Sequence, residues 1–269
     1  MDISDLVKDM HEPNPDALKV ISLGWGVQSW TLAAMVALGE FESVDYVIHA
    51  DTTHEASWTY EFAEKYTPWL EKRGLKVITV KPDPKKLEAV TEFKGVFIPA
   101  YTDNGTGGKG MLRRQCTYDW KIAPMRRKIQ EVRKGKPVEM WLGITTDEIQ
   151  RMKESDVKYI VNRWPLIELG MSRNDCKLWL EKHGLEIPGR SACSFCPFHD
   201  TAEWREIMAS EPDRKSAIEH NRAIRKIRPP FDLFIHPSRQ PIDEVDLRSA
   251  EDKGQMTLWD SECDGICGI

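Results

Sequence analysis

The sequence has no apolar run long enough to span a bilayer, and Met1-Asp2-Ile3-Ser4-Asp5 lacks the basic and apolar regions of a secretion signal. It also has no excess of positive charge, since the formal net charge is −5 at pH 7. These absences argue against a membrane protein and against a protein that coats nucleic acid nonspecifically. We therefore expect a cytoplasmic protein. The sequence shows no internal repeat.

What the sequence does contain is enough apolar material for a sizeable core, because 41% of its 269 residues are hydrophobic. The chain has six cysteines. In a cytoplasmic protein these are typical of metal ligands, redox groups or buried apolar residues rather than of a disulfide framework. The basic residues are unevenly placed, which indicates a local anion site, and they concentrate at Arg113, Arg114, Lys121, Arg126, Arg127 and Lys128.

The N-terminal half alternates short β-rich runs with amphipathic stretches. Strands are predicted at residues 18–22, 46–50, 76–80 and 138–144, and helices at 28–39, 57–73 and 121–134. This alternation predicts crossover units and an α/β fold with a Rossmann-like parallel sheet. Residues 102–110 contain too much glycine for the interior of an element and are predicted to form a mobile loop, either a solvated connection or a lid over substrate.

From about Trp164 the pattern changes to helices, predicted at residues 173–183, 201–210 and 213–227, separated by turns with cysteine and proline. We expect two regions: a nucleotide-binding domain over residues 1–163, and a mainly helical, cysteine-bearing region with a C-terminal tail over residues 164–269. The tail after Pro237 is polar and is predicted to be irregular.

The first strand ends in a glycine-rich turn that is a candidate phosphate site. Glycine lets the backbone approach an anion closely, and the helix that follows offers unpaired N–H groups and the positive end of its dipole. An ordinary strand-to-helix turn is the alternative. The candidate nucleotide-binding residues here are Ser22, Gly24, Gly26, Gln28 and Ser29.

Polar residues also follow two later strands, and the carboxyl ends of parallel strands meet at one edge of a sheet. Asp51 is a candidate to bind a ribose or Mg²⁺. Asp147 and Glu148 are candidates to bind Mg²⁺ or to orient a substrate, and Arg151 is a candidate to counter the negative charge of a phosphate. Each acid alone has a plainer interpretation as a helix cap. The same two segments also contain Thr52, Glu55 and Gly143.

The cysteines form a second constellation. Cys193-Ser194-Phe195-Cys196 turns two thiolates toward one point, Cys116 opens the basic helix, and Cys176 lies near the start of another helix, whose dipole favours a thiolate. Four such thiolates would suit structural zinc or an iron–sulfur cluster. One close pair with two distant single cysteines is more typical of a cluster, while a redox C-x-x-C with buried bystander cysteines is the alternative.

Together these motifs resemble the PP-loop ATP pyrophosphatase superfamily, and within it the phosphoadenosine phosphosulfate reductase-like branch with its adenine nucleotide alpha hydrolase type of fold. Residues 22–29 are similar to the S-x-S-G-G-x-D-S loop, 50–55 to the D-T-G-x-E strand end, and 143–151 to the G-x-R-x-D-E-S-x-x-R segment. Residues 116–124 resemble the cysteine-lysine-proline element of that superfamily. Cys193 and Cys196 match its closing C-x-x-C. Trp25, Val27 and Gln28 depart from the loop pattern.

The resemblance implies an enzyme that binds ATP with Mg²⁺, adenylates a nucleotide or nucleic-acid substrate, releases pyrophosphate and transfers sulfur beside a [4Fe-4S] cluster, with zinc as the alternative metal. Asp147, Glu148 and Arg151 would be catalytic, and Lys121 would bind nucleotide. Cys116, Cys193 and Cys196 would ligate the cluster. The expected fourth ligand is Cys176, with Cys263 or Cys267 as the runner-up. The resemblance also implies a sulfur or electron donor. The oligomeric state is left open.

Two alternatives come from the same resemblance. One is a sulfonucleotide reductase, in which Cys267 attacks an adenylyl sulfate and releases sulfite. The other is a non-catalytic nucleotide-binding module, which the altered residues of the glycine-rich turn favour. Trp25, inside that turn, is predicted either to stack on a base or to plug the pocket.

Overall fold

The computed structural model describes residues 14–86 and 98–248. In chain order the strands are β1 (Leu18–Leu23), β2 (Tyr46–Ala50), β3 (Val77–Val80), β4 (Tyr101–Asp103), β5 (Lys109–Met111), β6 (Val138–Leu142), β7 (Ile160–Arg163) and β8 (Asp232–Phe234). The α-helices are α1 (Val27–Ala37), α2 (Ser57–Glu71), α3 (Ala123–Arg133), α4 (Pro165–Glu168), α5 (Arg173–Lys182), α6 (Thr201–Ala209) and α7 (Glu211–Ile224). A π-helical turn, Thr117–Ile122, precedes α3, and 3-10 turns span Thr146–Arg151 and Ile242–Glu244.

Five strands form a parallel sheet in the order β3-β2-β1-β6-β7. This confirms the α/β fold with a Rossmann-like parallel sheet. The chain runs outward from β1 to β2 and β3, and then returns to place β6 on the other side of β1. The direction of winding therefore reverses between β1 and β6. In open α/β sheets such a switch point creates a crevice at the carboxyl ends of the two strands.

Helices cover both faces of this sheet. The central strand β1 shows this, since it is apolar on both of its faces. Ile21 and Leu23 pack with Trp30 of α1, together with residues of α2 and α5. Val20 lies on the opposite face and packs with Met125 and Ile129 of α3. A strand that is buried on both faces has a nearly continuous apolar sequence, as β1 does. The core thus holds β1 and the start of α1 in a fixed position.

The expectation of a mobile loop at residues 102–110 is wrong, because this segment forms a β-hairpin. β4 pairs antiparallel with β5, and β8 pairs with the other edge of β4. The Asn104 side chain accepts hydrogen bonds from the backbone N–H groups of Thr106 and Gly108, and Gly105 and Gly107 adopt positive φ. The glycines therefore serve a tight turn between two short strands rather than a lid.

The helices predicted after Trp164 are present as α5, α6 and α7, each with bounds close to those expected. β7 and β8 were not predicted. β8 pairs with β4, so strands from both predicted regions share the small sheet; the division at residues 163/164 stays a prediction. Among the described residues, none of the helices has both the length and the apolar character to cross a membrane.

Candidate nucleotide site

The glycine-rich turn after β1 is organised by the Ser29 side chain. Its Oγ accepts a hydrogen bond from the Gly24 N–H at 3.1 Å and donates to the Gly26 carbonyl at 3.2 Å. Gly26 is the N-cap of α1 and, like all glycines, offers no side chain to cap the helix. The first turn of α1 also has no acidic residue. Backbone N–H groups at this helix end are therefore available to an anion.

The loop after β6 lies directly against this turn. A Cβ atom on Gly143 would lie 2.6 Å from the Ser29 nitrogen and 2.7 Å from its Cα, which no side chain can do without moving the backbone. Only glycine allows this approach. The residues that follow β1 and β6 therefore form one continuous floor at the switch point of the sheet.

Trp25 does not face a ligand. Its side chain is 1% exposed, and its ring packs near the rings of Trp30, His49 and Phe62 in the main core. The backbone φ of Trp25 is +59°, which lets the side chain turn inward from the glycine-rich turn. Stacking of Trp25 on a base is therefore wrong, because the ring is buried under α1 and α2.

Asp51, at the end of β2, is held by several donors. Its Oδ1 accepts hydrogen bonds from the Thr53 N–H at 2.7 Å and from the Tyr60 hydroxyl at 2.9 Å, and Lys81 lies 3.6 Å from Oδ2. Burial and the nearby Asp51 carboxylate raise the pKa of Tyr60, so this phenol stays protonated and donates. Asp51 is thus an oriented acceptor at the strand end, as a ribose site requires.

A buried ion pair continues the site from β2 to the π-helical turn. The Glu55 side chain is fully buried, and Lys121 Nζ lies 2.9 Å from its Oε1. Thr52 Oγ1 and Ser191 Oγ lie 3.3 Å from the two Glu55 oxygens and donate to them. Burial acts to lower the pKa of Lys121, but Glu55 and Cys193 outweigh it and raise this pKa. Lys121 therefore stays charged in the cleft.

The thiol segment lies beside the glycine-rich turn, as the resemblance requires. A Cβ on Gly26 would lie 3.9 Å from Ser191 Cβ. Glu55 forms an antiparallel bridge with Cys193, and Thr52 Oγ1 lies 3.4 Å from Cys193 Sγ. Burial raises the pKa of both Cys193 and Cys196. Both thiols are therefore protonated at neutral pH unless a metal binds them.

The structure does not bring the four predicted cluster ligands together. Cys116 and Cys193 pack in one core cluster, and Cys116 acts electrostatically on Cys196. Cys176 is buried in a different cluster, between α1 and α5, so its position does not support the predicted role as fourth ligand. Cys263 and Cys267 lie outside the described residues.

No three His, Cys, Asp or Glu side chains within residues 14–86 and 98–248 are placed to hold one metal ion. The chemistry of Cys116, Cys193 and Cys196 suits soft metals, but their arrangement as it stands does not form a closed site. The described residues therefore do not fit a preformed zinc or [4Fe-4S] site, and the cluster stays a prediction from the sequence.

The acids after β6 have separate roles. Asp147 Oδ1 accepts the Arg173 N–H at the start of α5, at 3.0 Å, so Asp147 caps that helix. Glu148 Oε2 accepts from Arg151 at 2.6 Å and from Gln28 at 3.0 Å. Since Gln28 belongs to the first turn of α1, Glu148 and Arg151 lie at the glycine-rich turn. Ser22 lies within β1, and the Arg151 side chain is largely exposed.

Two side chains of the site were missed by sequence reasoning. Tyr60 orients Asp51 from the first turn of α2, and Ser191 donates to Glu55 and lies close to Gly26 of the glycine-rich turn. Ser191 stands two residues before Cys193, so proximity to the C-x-x-C was an available signal. No signal in the sequence pointed to Tyr60, because its role depends on how α2 packs beside β2.

The basic residues do not form one patch. Arg126 is paired with Asp156, and Lys128 with Glu131 at 2.8 Å. Arg113, Arg114 and Arg127 are exposed. The Arg114 guanidinium lies 5.7 Å from the centre of the Phe198 ring and acts electrostatically on Cys196. Arg113 and Arg114 thus place two exposed positive charges just before Cys116.

The fold and the switch-point crevice define an α/β protein of the Rossmann-like class. No protein-family model matches the chain, and no curated protein matches its sequence. Among solved structures, the chain is similar to that of phosphoadenylyl-sulfate (PAPS) reductase from Candida auris in its phosphate complex. The TM-score is 0.46, with 12% identity over 70% of this chain and 82% of the reductase chain.

Proposed function

We propose that this protein is an enzyme of the PP-loop type that binds an adenine nucleotide at the switch point and acts on it beside the thiol segment. The observation that carries the proposal is the close approach of Gly143 to the Ser29 backbone, which joins two strand-end loops into one continuous floor. Gly26, at the start of α1, lies close to Ser191 of the thiol segment, since a Cβ on Gly26 would be 3.9 Å from Ser191 Cβ. A nucleotide phosphate in the turn would thus lie next to Lys121 and Cys193.

In the first reaction we consider, ATP adenylates an oxygen of an acceptor. The acceptor oxygen attacks the α-phosphorus, a new P–O bond forms, and the bond to pyrophosphate breaks. Backbone N–H groups of the glycine-rich turn would bind the phosphates, and Arg151, held by Glu148, would stabilise the developing negative charge. Mg²⁺ would bind chiefly through substrate phosphates and water, with Glu148, whose Oε2 accepts from Arg151 and Gln28, as the candidate carboxylate ligand.

Reduction of an adenylyl sulfate is the second candidate, and the pKa values of the described thiols bear on it. Because burial raises the pKa of Cys193 and Cys196, neither offers the thiolate that must attack sulfur. The nucleophile would have to be Cys267, which lies outside the described residues. Attack on the sulfur would form an S–S bond, break the S–O bond to the adenosine phosphate and release that nucleotide, leaving a cysteine S-sulfonate. A second thiol would then attack the cysteine sulfur, release sulfite and leave a disulfide.

The two reactions are separated by their products. Anaerobically purified protein is incubated with ATP and Mg²⁺, or with an adenylyl sulfate and a dithiol, and pyrophosphate and sulfite are measured. Iron and acid-labile sulfide are determined in the same samples. Pyrophosphate that requires an acceptor supports adenylation, and sulfite that is lost in Cys267→Ser supports reduction. Binding of either nucleotide without turnover supports the non-catalytic module.

Arg151→Gln and Ser29→Ala supply the matched test of the site. Each should lower turnover by about tenfold or more, because Arg151 would stabilise charge on the phosphates and Ser29 holds the turn that would bind them. Lys215→Gln, an exposed change on α7, is the control and should leave turnover unchanged. If neither nucleotide binds to the unaltered protein in a direct titration, the proposed function is wrong.

A further inference from the structure

A second cavity, separate from the switch-point crevice, lies between the β4–β5 hairpin and residues 228–231. Its volume is about 310 Å³. That size is at the lower end of small-ligand pockets, and the cavity is open to solvent. Nothing in the proposed reaction uses this cavity.

The lining of this cavity is cationic and aromatic. Lys109 and Arg228 contribute two positive charges, and Phe231, Met111 and Leu112 contribute apolar surface. The described residues that line it include no carboxylate. The nearest acids are already balanced: Asp232 pairs with Lys226 at 2.7 Å, and Asp103 lies 4.0 Å from Lys109. A ligand with a flat apolar ring and adjacent negative charge would complement this lining.

The hairpin connects the cavity to the thiol segment. β5 ends at Met111, and the chain continues through the exposed Arg113 and Arg114 to Cys116, seven residues after Lys109. These residues span at most about 25 Å. Arg114 acts electrostatically on both Lys121 and Cys196. Positively charged side chains therefore extend from the cavity, at Lys109 and Arg228, to Arg113 and Arg114 beside the thiol segment, and an aromatic ring lies at each end, Phe231 and Phe198.

We propose that a base of a single-stranded nucleic acid occupies this cavity, and that the strand continues along residues 112–116 to the thiol segment. The inference rests on the proposed function, because it identifies the acceptor as a nucleic acid. Phe231 would stack on the base, and Lys109, Arg228, Arg113 and Arg114 would contact phosphates. A base held in the cavity would orient a neighbouring nucleotide toward the cleft. An unpaired base can present its face to Phe231, whereas a base in a duplex is already stacked on its neighbours, so a single strand should be preferred.

The test measures binding of fluorescent oligonucleotides of about 12 nucleotides by anisotropy over a range of salt concentrations. Single-stranded RNA, single-stranded DNA and a duplex of the same sequence are compared. We expect a single strand to bind more tightly than the duplex, with an affinity that falls as salt rises. Equal affinity for the duplex, or no binding of either single strand, overturns the inference.

Variants then locate the site. Phe231→Leu keeps the apolar volume and removes the aromatic face, and it should weaken binding by about tenfold. Lys109→Gln and Arg228→Gln should each reduce the slope of log affinity against log salt by about 0.7. Lys215→Gln makes the same charge change at the other end of α7 and should have no effect. Cavity variants that match Lys215→Gln contradict the assignment.

Direct titration of ATP and an adenylyl sulfate into the same variants separates this inference from the proposed function. Cavity variants should bind nucleotide as the unaltered protein does. If nucleotide binds and oligonucleotide does not, only the cavity assignment fails. If nucleotide fails to bind, the proposed function fails, and oligonucleotide binding still tests the cavity.

Discussion

Trp25 has a backbone conformation that favours glycine and a side chain that the core requires. A non-glycine residue at a φ of +59° costs about 1–2 kcal/mol. Its buried ring lies near those of Trp30 and Phe62, and deleting such a ring costs about 3–5 kcal/mol. The packing effect is therefore larger than the strain. The loop pattern that residues 22–29 resemble has glycine at this position, whereas here Trp25 is part of the core.

Trp25→Gly accordingly should lower the free energy of unfolding by about 2–3 kcal/mol, despite relieving the strained backbone. Urea denaturation measures this change. Trp25→Phe retains part of the ring contacts and is expected to lose less. A Trp25→Gly protein as stable as the unaltered one would contradict a core role for this side chain.

Gly143 is the residue on which the phosphate floor depends. In Gly143→Ala the new Cβ would meet the Ser29 backbone, so either the loop after β6 or the start of α1 must move. We expect a loss of about 1–3 kcal/mol in stability and at least about tenfold weaker nucleotide binding.

Gly24→Ala is the matched control for stability, since a Cβ there would lie 3.6 Å from Ser29 Oγ, an ordinary contact distance. Its unfolding free energy should stay close to that of the unaltered protein. Denaturation and calorimetric nucleotide titration measure the two effects. Unchanged stability and binding in Gly143→Ala would remove the main support for the proposed site.

At the scale of elements, the start of α6 holds the thiol segment in place. Glu203 and Asp200 form a capping box, and Glu203 Oε2 also accepts from Arg190 at 2.7 Å and lies 3.2 Å from His199 Nδ1. His199 Nε2 in turn lies 2.8 Å from the Cys193 carbonyl. Burial acts to raise the pKa of Glu203, but the hydrogen bonds to His199 and Asp200 and the Arg190 charge lower it to about 2.

Glu203→Ala should therefore loosen the C-x-x-C turn as well as the helix. We expect Cys193 and Cys196 to react at least about tenfold faster with a thiol reagent, because local opening of the turn costs less. Mass spectrometry of the labelled peptides measures the rates. Ser172→Ala is the control: it removes the capping box of α5 at a similar cost of about 1 kcal/mol but touches neither thiol. Equal labelling in both variants would contradict this role.

At the scale of the whole molecule, the burial of histidines makes the stability of the fold depend on pH. His220 of α7 stacks on Phe195 with the ring centres 3.6 Å apart, and its Nε2 has no hydrogen-bond partner among the described residues. Burial, and to a smaller extent His54, lowers the pKa of His220 from 6.5 to about 3. The native state therefore holds this ring neutral in a range where the unfolded chain is protonated.

Stability should accordingly be highest above pH 6.5 and should decrease as the pH falls from 6.5 toward 3. Because the unfolded state binds the extra proton, His220 contributes a slope of up to about 1.4 kcal/mol per pH unit in that window. Burial lowers the pKa of His49 and His54 as well, and each adds a slope of the same sign. Urea denaturation at a series of pH values measures the total.

His220→Phe keeps a stacked ring and removes one titrating group, so its stability should depend less steeply on pH than that of the unaltered protein. His183→Phe changes a histidine in the solvent-facing contact between Trp179 and Glu40 and is the control. Identical pH profiles for His220→Phe and the unaltered protein would show that another group dominates acid unfolding.

Much of the architecture could be predicted from the sequence because it depends on local pattern. The apolar run before Gly24 predicted β1, and α1, α2 and α5 each ended within two residues of the expected position. The hairpin at residues 102–110 could not be predicted, since its strands have three residues each and depend on pairing with β8. β7 was missed for a similar reason: it is short and is defined by its pairing with β6.

For the candidate site, the residue types were present in the sequence, and their partners were decided by the fold. The order of glycine-rich turn, acidic strand ends and C-x-x-C was enough to indicate a nucleotide site, because each motif depends on near neighbours in the chain. Only tertiary packing buried Trp25, paired Glu55 with Lys121 and placed Cys176 in a different core cluster from Cys193. Such contacts join residues that are distant in sequence, and spacing along the chain contains no measure of distance across the sheet.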